Sequence, residues 1–443
     1  GSMGDSVKAI LARFAEMAPG DAYLINSPYH GGTHLPDITV VRPVFAPDRG
    51  ELRYFTAARA HHADVGGIAP GSMPAASTRI GEEGCLSDGL RIVAQGRFLG
   101  AEVRTWLNST TPAARNPDQN VADLQAQLAA CTQGEALLRR LEDEVGAEAV
   151  TRYMGFVQDN AEAAVVRLLG RLKDGAFSLA LDGGPVIAVA IRIADGRAVI
   201  DFAGTSGAHP GNLNAPAAIV RSAVLYVFRS LLDVDIPLNA GVLRPLDIRL
   251  PAGSLLDPRP PAAVVAGNVE TSQNIVDALY GALGVLAASQ GTMNNFSFGD
   301  GRHQYYETVC GGTGAGPGFD GASAVHSHMT NSRLTDPEVM EAKFPVRVER
   351  FAVRPDSGGA GRQRGGDGIA RALRFLAPMH ANLIALRREV APFGLAGGGD
   401  GQPGRQWLER ADGTVEELPG IADFRLESGD IFVLETPGGG GFG

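Results

Sequence analysis

The sequence is short of cysteine, of positive charge and of long apolar runs, and each shortage excludes a class of protein. Cys85, Cys131 and Cys310 are its three cysteines, and they have no paired spacing. They define neither a disulfide framework nor a cysteine metal site, and a reducing, cytoplasmic compartment is the simpler expectation. No window reaches the ~18 uninterrupted apolar residues of a membrane span, and no secretory signal is visible. Lys and Arg number 39 against 49 Asp and Glu, which leaves a net charge of −10. That balance argues against a nucleic-acid or anionic-membrane partner. A nucleotide loop is missing too. Gly311-Gly312-Thr313-Gly314-Ala315-Gly316 lacks the Lys-Ser/Thr ending of a P-loop and does not match the dinucleotide fingerprint.

The apolar content of 44% and charged content of 20% fit a globular protein with a large core. The expected fold class is α+β, a mixed multi-sheet architecture with a long-helix region and a β-rich C-terminal part. Four regions are expected: a metal-site α/β region (4–115), a helical region (116–183), a central α/β region with Gly-rich site loops (184–343) and a β-rich region (344–443). Val7, Ile10, Leu11 and Phe14 have helical spacing behind Asp5, a candidate N-cap. Residues 38–45 and 52–58 read as strands joined by a turn at Pro47-Asp48-Arg49-Gly50. Leu124, Leu128, Leu137, Leu138, Leu141 and Val145 form a helical stripe interrupted near Gly134, and a second long helix covers 147–173. Ala194-Asp195-Gly196 is a hairpin turn, and 217–232 is a mostly apolar, buried helix. Glycine, at 59 residues, clusters in loops without a collagen or linker period.

Polar chemistry gathers in three places. The first is Tyr29-His30-Gly31-Gly32-Thr33-His34-Leu35-Pro36-Asp37 together with Arg59-Ala60-His61-His62-Ala63-Asp64-Val65-Gly66-Gly67, which holds four of the nine histidines. Imidazole beside carboxylate suits a divalent metal of the zinc, manganese or iron type, whereas histidines at strand ends often only hydrogen-bond neighbouring loops. A hairpin carries both segments to one end of a sheet. The second is Gly267-Asn268-Val269-Glu270-Thr271-Ser272-Gln273, just before an apolar helix over 275–288. A helix N-terminus there favours an anion, and Glu270 is either a cap or a site group. The third is His326-Ser327-His328-Met329-Thr330-Asn331. On a strand this alternation turns both rings to one face, as a second metal candidate or a substrate contact; otherwise it is a polar loop. Glu82-Glu83 reads as a solvated pair or as site groups.

These segments, with His328-Met329-Thr330-Asn331 and the terminal Thr436-Pro437-Gly438-Gly439-Gly440-Gly441-Phe442-Gly443, resemble the hydantoinase B/oxoprolinase family from end to end. That family includes B subunits of ATP-dependent hydantoinases, the C-terminal half of 5-oxoprolinase and subunits of ketone carboxylases. Members usually carry roughly a hundred further residues ahead of this point, consistent with a larger catalytic unit. Gly1-Ser2-Met3 has the look of a tag remnant, yet the family pattern has Gly-Ser-Met before its first helix, so the chain could also be a fragment of a nicked or fused polypeptide.

The resemblance implies a hydrolase that opens cyclic amides and works in a hetero-oligomer with a hydantoinase A-type ATP-binding partner. The partner binds ATP and Mg and phosphorylates the substrate carbonyl oxygen, and the B-type chain completes the reaction at a divalent metal. His34, Asp37 and His61 are the expected ligands, with His62 and Asp64 as alternates, as groups that orient the ligands, or as catalytic groups. Glu270 is the candidate general base. Asn268, Gly311, Gly312 and His328 are the candidate substrate or phosphate contacts, the glycines through backbone N–H groups. A ketone carboxylase subunit and a non-catalytic structural subunit are the alternative readings.

Overall fold

The structure, a computed structural model, describes residues 2–47 and 50–443. Asp48 and Arg49 of the expected turn lie outside the described residues. Helix α1 (Met3–Arg13) packs on a five-stranded antiparallel sheet of β1 (Ala22–Ile25), β2 (Asp37–Phe45), β3 (Leu52–His61), β4 (Leu90–Ala94) and β5 (Arg97–Phe98). Its order, β3-β2-β1-β4-β5, makes the β2–β3 hairpin one flank of the sheet. The N-cap position of α1 is Ser2, and Asp5 instead pairs with Arg221 at 2.9 Å.

After α2 (Gly100–Leu107) come the two long helices, α3 (Pro117–Val145) and α4 (Ala147–Leu169). Asn116 caps α3 by accepting from the Gln119 N–H at 3.3 Å, and Pro117 supplies a first position that needs no N–H. The interruption expected at Gly134 does not occur. A Cβ there would lie 3.1 Å from Thr56 Cγ2, so the glycine serves the close approach of α3 to β3.

The second sheet comprises β6 (Gly175–Ala180), β7 (Val186–Ala194), β8 (Arg197–Asp201) and β9 (Leu246–Arg249). Asp195 and Gly196, both at positive φ (50° and 71°), form the β7–β8 turn. Helix α5 (Ala217–Ser230) lies in the crossover to β9, and with α6 (Ser272–Leu283) it covers this sheet and forms the largest apolar core. A third sheet joins β10 (Asn295–Gly299) and β11 (Gln304–Glu307) to two strands from further along the chain. Beyond α7 (Pro337–Lys343) follow β12 (Val346–Val353), β13 (Ile369–Phe375), β14 (Met379–Ile384), β15 (Arg405–Glu409), β16 (Val415–Glu417), β17 (Ile421–Leu426) and β18 (Ile431–Glu435). The third sheet runs β11-β10-β14-β17 and the fourth β12-β13-β18-β15-β16. Phe296, Phe298, Phe375, Phe424 and Phe432 fill the core between them. The α+β class and the β-rich C-terminal part are therefore as expected.

The glycine-rich segments at 311–316, 358–368, 394–404 and 438–443 pack against one another. They lie side by side as extended chains in direct backbone contact. Gly439 N–H donates to Gly366 O, Gly366 N–H to Thr313 O and Gly312 N–H to Pro437 O, at 2.9, 2.9 and 3.0 Å. A Cβ on Gly312 would lie 1.9 Å from Gly366 O. Only glycine permits this spacing. Among the described residues no helix is long and apolar enough to cross a membrane, and the three cysteines are free and buried.

Candidate functional site

The β2–β3 ladder places Asp37 opposite His61 and Thr39 opposite Arg59. Because side chains two residues apart share a face, these four groups project from one side of the sheet. His34 enters from the turn before β2, where the chain passes so close to Asn26 that a Cβ on Gly32 would sit 2.4 Å from its carbonyl oxygen. Asn268 arrives from a π-helical turn, Gly267–Thr271, fused to the start of α6. Such turns are rare and frequent at functional sites.

These elements, with β11 and the loops at 293, 308 and 329–332, enclose a cleft of about 510 Å³ lined by His34, Asp37, Arg59, His61, Asn268, Val269, Met293, Tyr306, Thr308, Met329, Asn331 and Ser332. His34 is 1% exposed. Its Nδ1 lies 3.4 Å from Asp37 Oδ2 and 3.0 Å from the Asn268 amide, while its Nε2 is buried with no hydrogen-bond partner. With the Asn268 amide donating to Nδ1, Nε2 is the ring nitrogen left unsatisfied. The His61 ring lies 5.1 Å from that of His34 and stacks on Tyr306 at 5.4 Å and 3°. Tyr306 is fixed in turn by donating its hydroxyl to Asn295 Oδ1 at 2.8 Å.

The electrostatics favour an ionised carboxylate at Asp37. Burial pushes the Asp37 carboxyl up, but His34, His61 and Arg59 together outweigh it and hold the group below the ordinary carboxylate range. His61 is open to water on its cleft side yet walled by protein elsewhere. That enclosure, with His34 beside it, draws its pKa below the ordinary imidazole value. Two imidazoles and an ionised carboxylate are donors of the right type for zinc, manganese or iron, and His34 Nε2 is a buried ring nitrogen without a partner. Among the described residues, however, no three His, Cys, Asp or Glu side chains already stand as a group able to hold a metal ion.

The remaining expected site residues lie elsewhere, and their hydrogen bonds show why. His62 points away from the cleft into α3, with Gln127 Oε1 3.1 Å from Nε2 and Asn120 Nδ2 3.0 Å from Nδ1. Asp64 organises its own loop: it accepts from the N–H groups of Gly66, Gly71 and Arg115 and pairs with the Arg115 guanidinium at 2.8 Å. Glu270 is neither a helix cap nor a cleft group. Its π turn continues directly into α6, so no free helix end is left at that point. Its buried carboxylate instead accepts from Met293 N–H at 3.0 Å, Asn295 Nδ2 at 2.6 Å and Leu386 N–H at 2.8 Å. Burial raises its pKa to about 7 against those bonds.

Gly311 and Gly312 make no phosphate cradle, because their N–H groups already donate to Val325 O and Pro437 O. The segment with His326 and His328 is a loop rather than a strand, and His328 adopts a left-handed φ of 49°. His328 Nε2 meets buried Asp277 at 3.1 Å, and Asp277 also pairs with Arg387 at 3.3 Å. Of the Glu82-Glu83 pair, Glu83 is fully buried and ties the 264–265 backbone in place. Sequence reasoning missed Arg59 and Tyr306. The i, i+2 spacing of Arg59 and His61 on β3 was the available signal for the first; nothing local marks the second.

Four sheets with helices packed on them, and a cleft gathering two histidines, an aspartate and an arginine, define an α+β protein whose polar cleft is built in part by strand pairing. The family model described as hydantoinase B/oxoprolinase matches residues 1–443, and the chain belongs to that family. It is 43% identical over 470 residues to 5-oxoprolinase 1 of Arabidopsis thaliana, covering 100% of this chain and 37% of that protein. It is 41% identical over 478 residues to 5-oxoprolinase of Saccharomyces cerevisiae, again covering 100% of this chain and 37% of the relative. The chain thus spans little more than a third of the length of these relatives. The solved structure of ATP-dependent caprolactamase from Pseudomonas jessenii superposes with a TM-score of 0.89 at 27% identity, covering 100% of this chain and 81% of that one. The nucleotide-free structure of acetone carboxylase shares the fold, with a TM-score of 0.88 at 18% identity over 100% of this chain and 68% of that one.

Proposed function

We propose that this chain is the ring-opening, B-type part of an ATP-dependent cyclic amidase acting on 5-oxoproline or a related lactam or hydantoin. An A-type ATP-binding subunit or region, with ATP and Mg, phosphorylates the carbonyl oxygen first. The observation that carries the reading is the end-to-end similarity to 5-oxoprolinases, at 43% identity, of a chain whose Asp37 and His61 meet in one cleft. The 18% identity to acetone carboxylase extends to the fold alone and does not favour carboxylation.

Amide resonance makes a lactam carbonyl a poor electrophile, and phosphorylation of its oxygen supplies a leaving group. His34, Asp37 and His61 would hold a divalent zinc, manganese or iron ion, whose chemistry when bound is to acidify water and polarise oxygen. The chain's own residues do the rest. Asn268 and Asp37 hold His34 by its Nδ1 edge, and its Nε2 is left without a hydrogen-bond partner. Tyr306 holds the His61 ring flat against its own. A neutral His61 offers its imidazole lone pair to that ion. Val269, Met293 and Met329 give the ring an apolar wall.

The test is a product assay on the enzyme assembled with its ATP-binding counterpart, using ATP and a panel of lactams, hydantoins and ketones. ATP-dependent opening of a cyclic amide that is lost in Asp37→Asn supports the reading. Turnover unaffected by Asp37→Asn, or carboxylation of a ketone with no amide opened, overturns it.

A further inference from the structure

We propose that Arg59 is the residue of this cleft that recognises an oxyanion on the substrate, a ring carboxylate or a phosphoryl group; the proposal rests on the ring-opening reading of the cleft. Arg59 lines the cleft beside Asp37 and His61. Its guanidinium is anchored by three neutral hydroxyls: Nε donates to Thr39 Oγ1 at 2.7 Å, Nη2 to Ser6 Oγ at 2.8 Å and Nη1 to Ser2 Oγ. The two acids that exert a field on it are engaged elsewhere. Asp5 pairs with Arg221 at 2.9 Å, and Asp37 takes the Thr33 hydroxyl at 3.0 Å and faces His34. Among the described residues, no carboxylate lies within ion-pair distance of Arg59.

A guanidinium has five N–H donors. Three are used on hydroxyls, so two remain on a cation that is largely enclosed and has no ion-pair partner. Such a charge is costly to hold unless an anion arrives, and the guanidinium fork matches the two oxygens of a carboxylate or phosphoryl group. The hydroxyl anchors aim the side chain without neutralising it. Across the cleft, Met293 and Met329 offer apolar surface to ring methylenes, while Asn331 and Ser332 offer polar atoms at its edge. The combination suits a small ring bearing an oxyanion better than a neutral ring.

The experiment uses the enzyme assembled with its ATP-binding counterpart and two rings that differ only in the carboxylate, 5-oxoproline and 2-pyrrolidinone. KM is measured for each, or Kd by calorimetry for a ring that is not turned over. In Arg59→Gln the value for 5-oxoproline is expected to rise about tenfold or more, the loss of one charge-assisted contact, with partial recovery in Arg59→Lys. An unchanged value for 2-pyrrolidinone identifies the ring carboxylate as the recognised group, and an equal rise for both rings identifies the phosphoryl group. Changes below about twofold for both rings overturn the proposal. Ser6→Ala removes one anchor and leaves the charge, so a rise as large as that of Arg59→Gln would mean that packing of α1 is responsible and would also overturn it. If Asp37→Asn abolishes turnover while Arg59→Gln is silent, the Arg59 proposal alone fails; if Asp37→Asn is silent too, the reading of the cleft fails with it.

Discussion

Asp37 and His61 are register partners across the β2–β3 ladder, so one antiparallel pairing closes two histidine segments into one site. Neither residue depends on a flexible loop for its position. If the pair holds a metal, Asp37→Asn keeps the shape and loses the charge, while His61→Ala removes a donor and its stack on Tyr306. Divalent zinc, manganese or iron affinity of the purified chain is expected to fall by about tenfold or more in either variant. Elemental analysis and metal titration check this, and full occupancy in both variants would rule out the pair as ligands.

The glycine layers make a stability prediction of unusual size for a single methyl group. In Gly312→Ala the new Cβ meets Gly366 O at 1.9 Å, and that backbone is pinned by Gly439. A loss of about 3 kcal/mol or more is expected, because no side-chain rotation relieves the contact. Gly155 in α4 has no atom within 4 Å of its would-be Cβ. Gly155→Ala should therefore stabilise the protein by roughly 0.5–1 kcal/mol through helix propensity. Denaturant unfolding of the two variants checks both signs.

What was legible in the sequence was local. Alternating strands put 38–45 and 52–58 in a hairpin, Asn116-Pro117 opened a long helix, and Asp195-Gly196 turned β7 into β8. The site was half legible for the same reason, since a hairpin alone unites Asp37 with His61. The rest depends on tertiary partners. Glycine-rich stretches look alike whether they cradle a ligand or pack against one another, and only the position of Gly366 and Pro437 decides for Gly312. His62 and Asp64 have the residue types of a site, but α3 and Arg115 claim them from far along the chain. His326 and His328 alternate as in a strand, yet Asp277 holds His328 in a loop at positive φ.

Glu83 predicts a pH dependence. Burial raises its pKa to about 8, against hydrogen bonds from Val265, Ser77 and Val264, and its Oε2 has no partner. An unfolded glutamate titrates near 4.3. Between those values the native state binds more protons than the unfolded chain, so stability falls as pH rises. The contribution is fully present below the unfolded pKa and is lost as pH passes through about 8. One extra bound proton corresponds to a slope of roughly 1.4 kcal/mol per pH unit at most. Glu83→Gln keeps an oxygen for the three donors and removes the titration, so its stability should be flatter with pH than wild type between about pH 5 and 8. Denaturant midpoints across that range decide it, and an unchanged slope would show that Glu83 does not hold the proton.

Glu270 separates chemistry from architecture. A general base must reach the cleft, yet both Glu270 oxygens are committed to Met293, Asn295 and Leu386 beneath it. The same contacts link the π turn that presents Asn268 to β10 and to the end of β14, so the carboxylate acts as an internal brace. In Glu270→Gln one oxygen becomes an NH₂ group, and it must face a backbone N–H that has no other acceptor. Two opposed donors in a buried site should cost about 1–3 kcal/mol. Turnover per folded molecule should fall only modestly, through displacement of Asn268 and the His34 it contacts, and the KM and kcat changes should track the loss of melting temperature. A base removed outright would instead lower kcat by about 10²-fold or more with the melting temperature kept. Measuring melting temperature and single-turnover rate on the same preparation distinguishes the two, and a stable but inactive Glu270→Gln would return this residue to the chemistry.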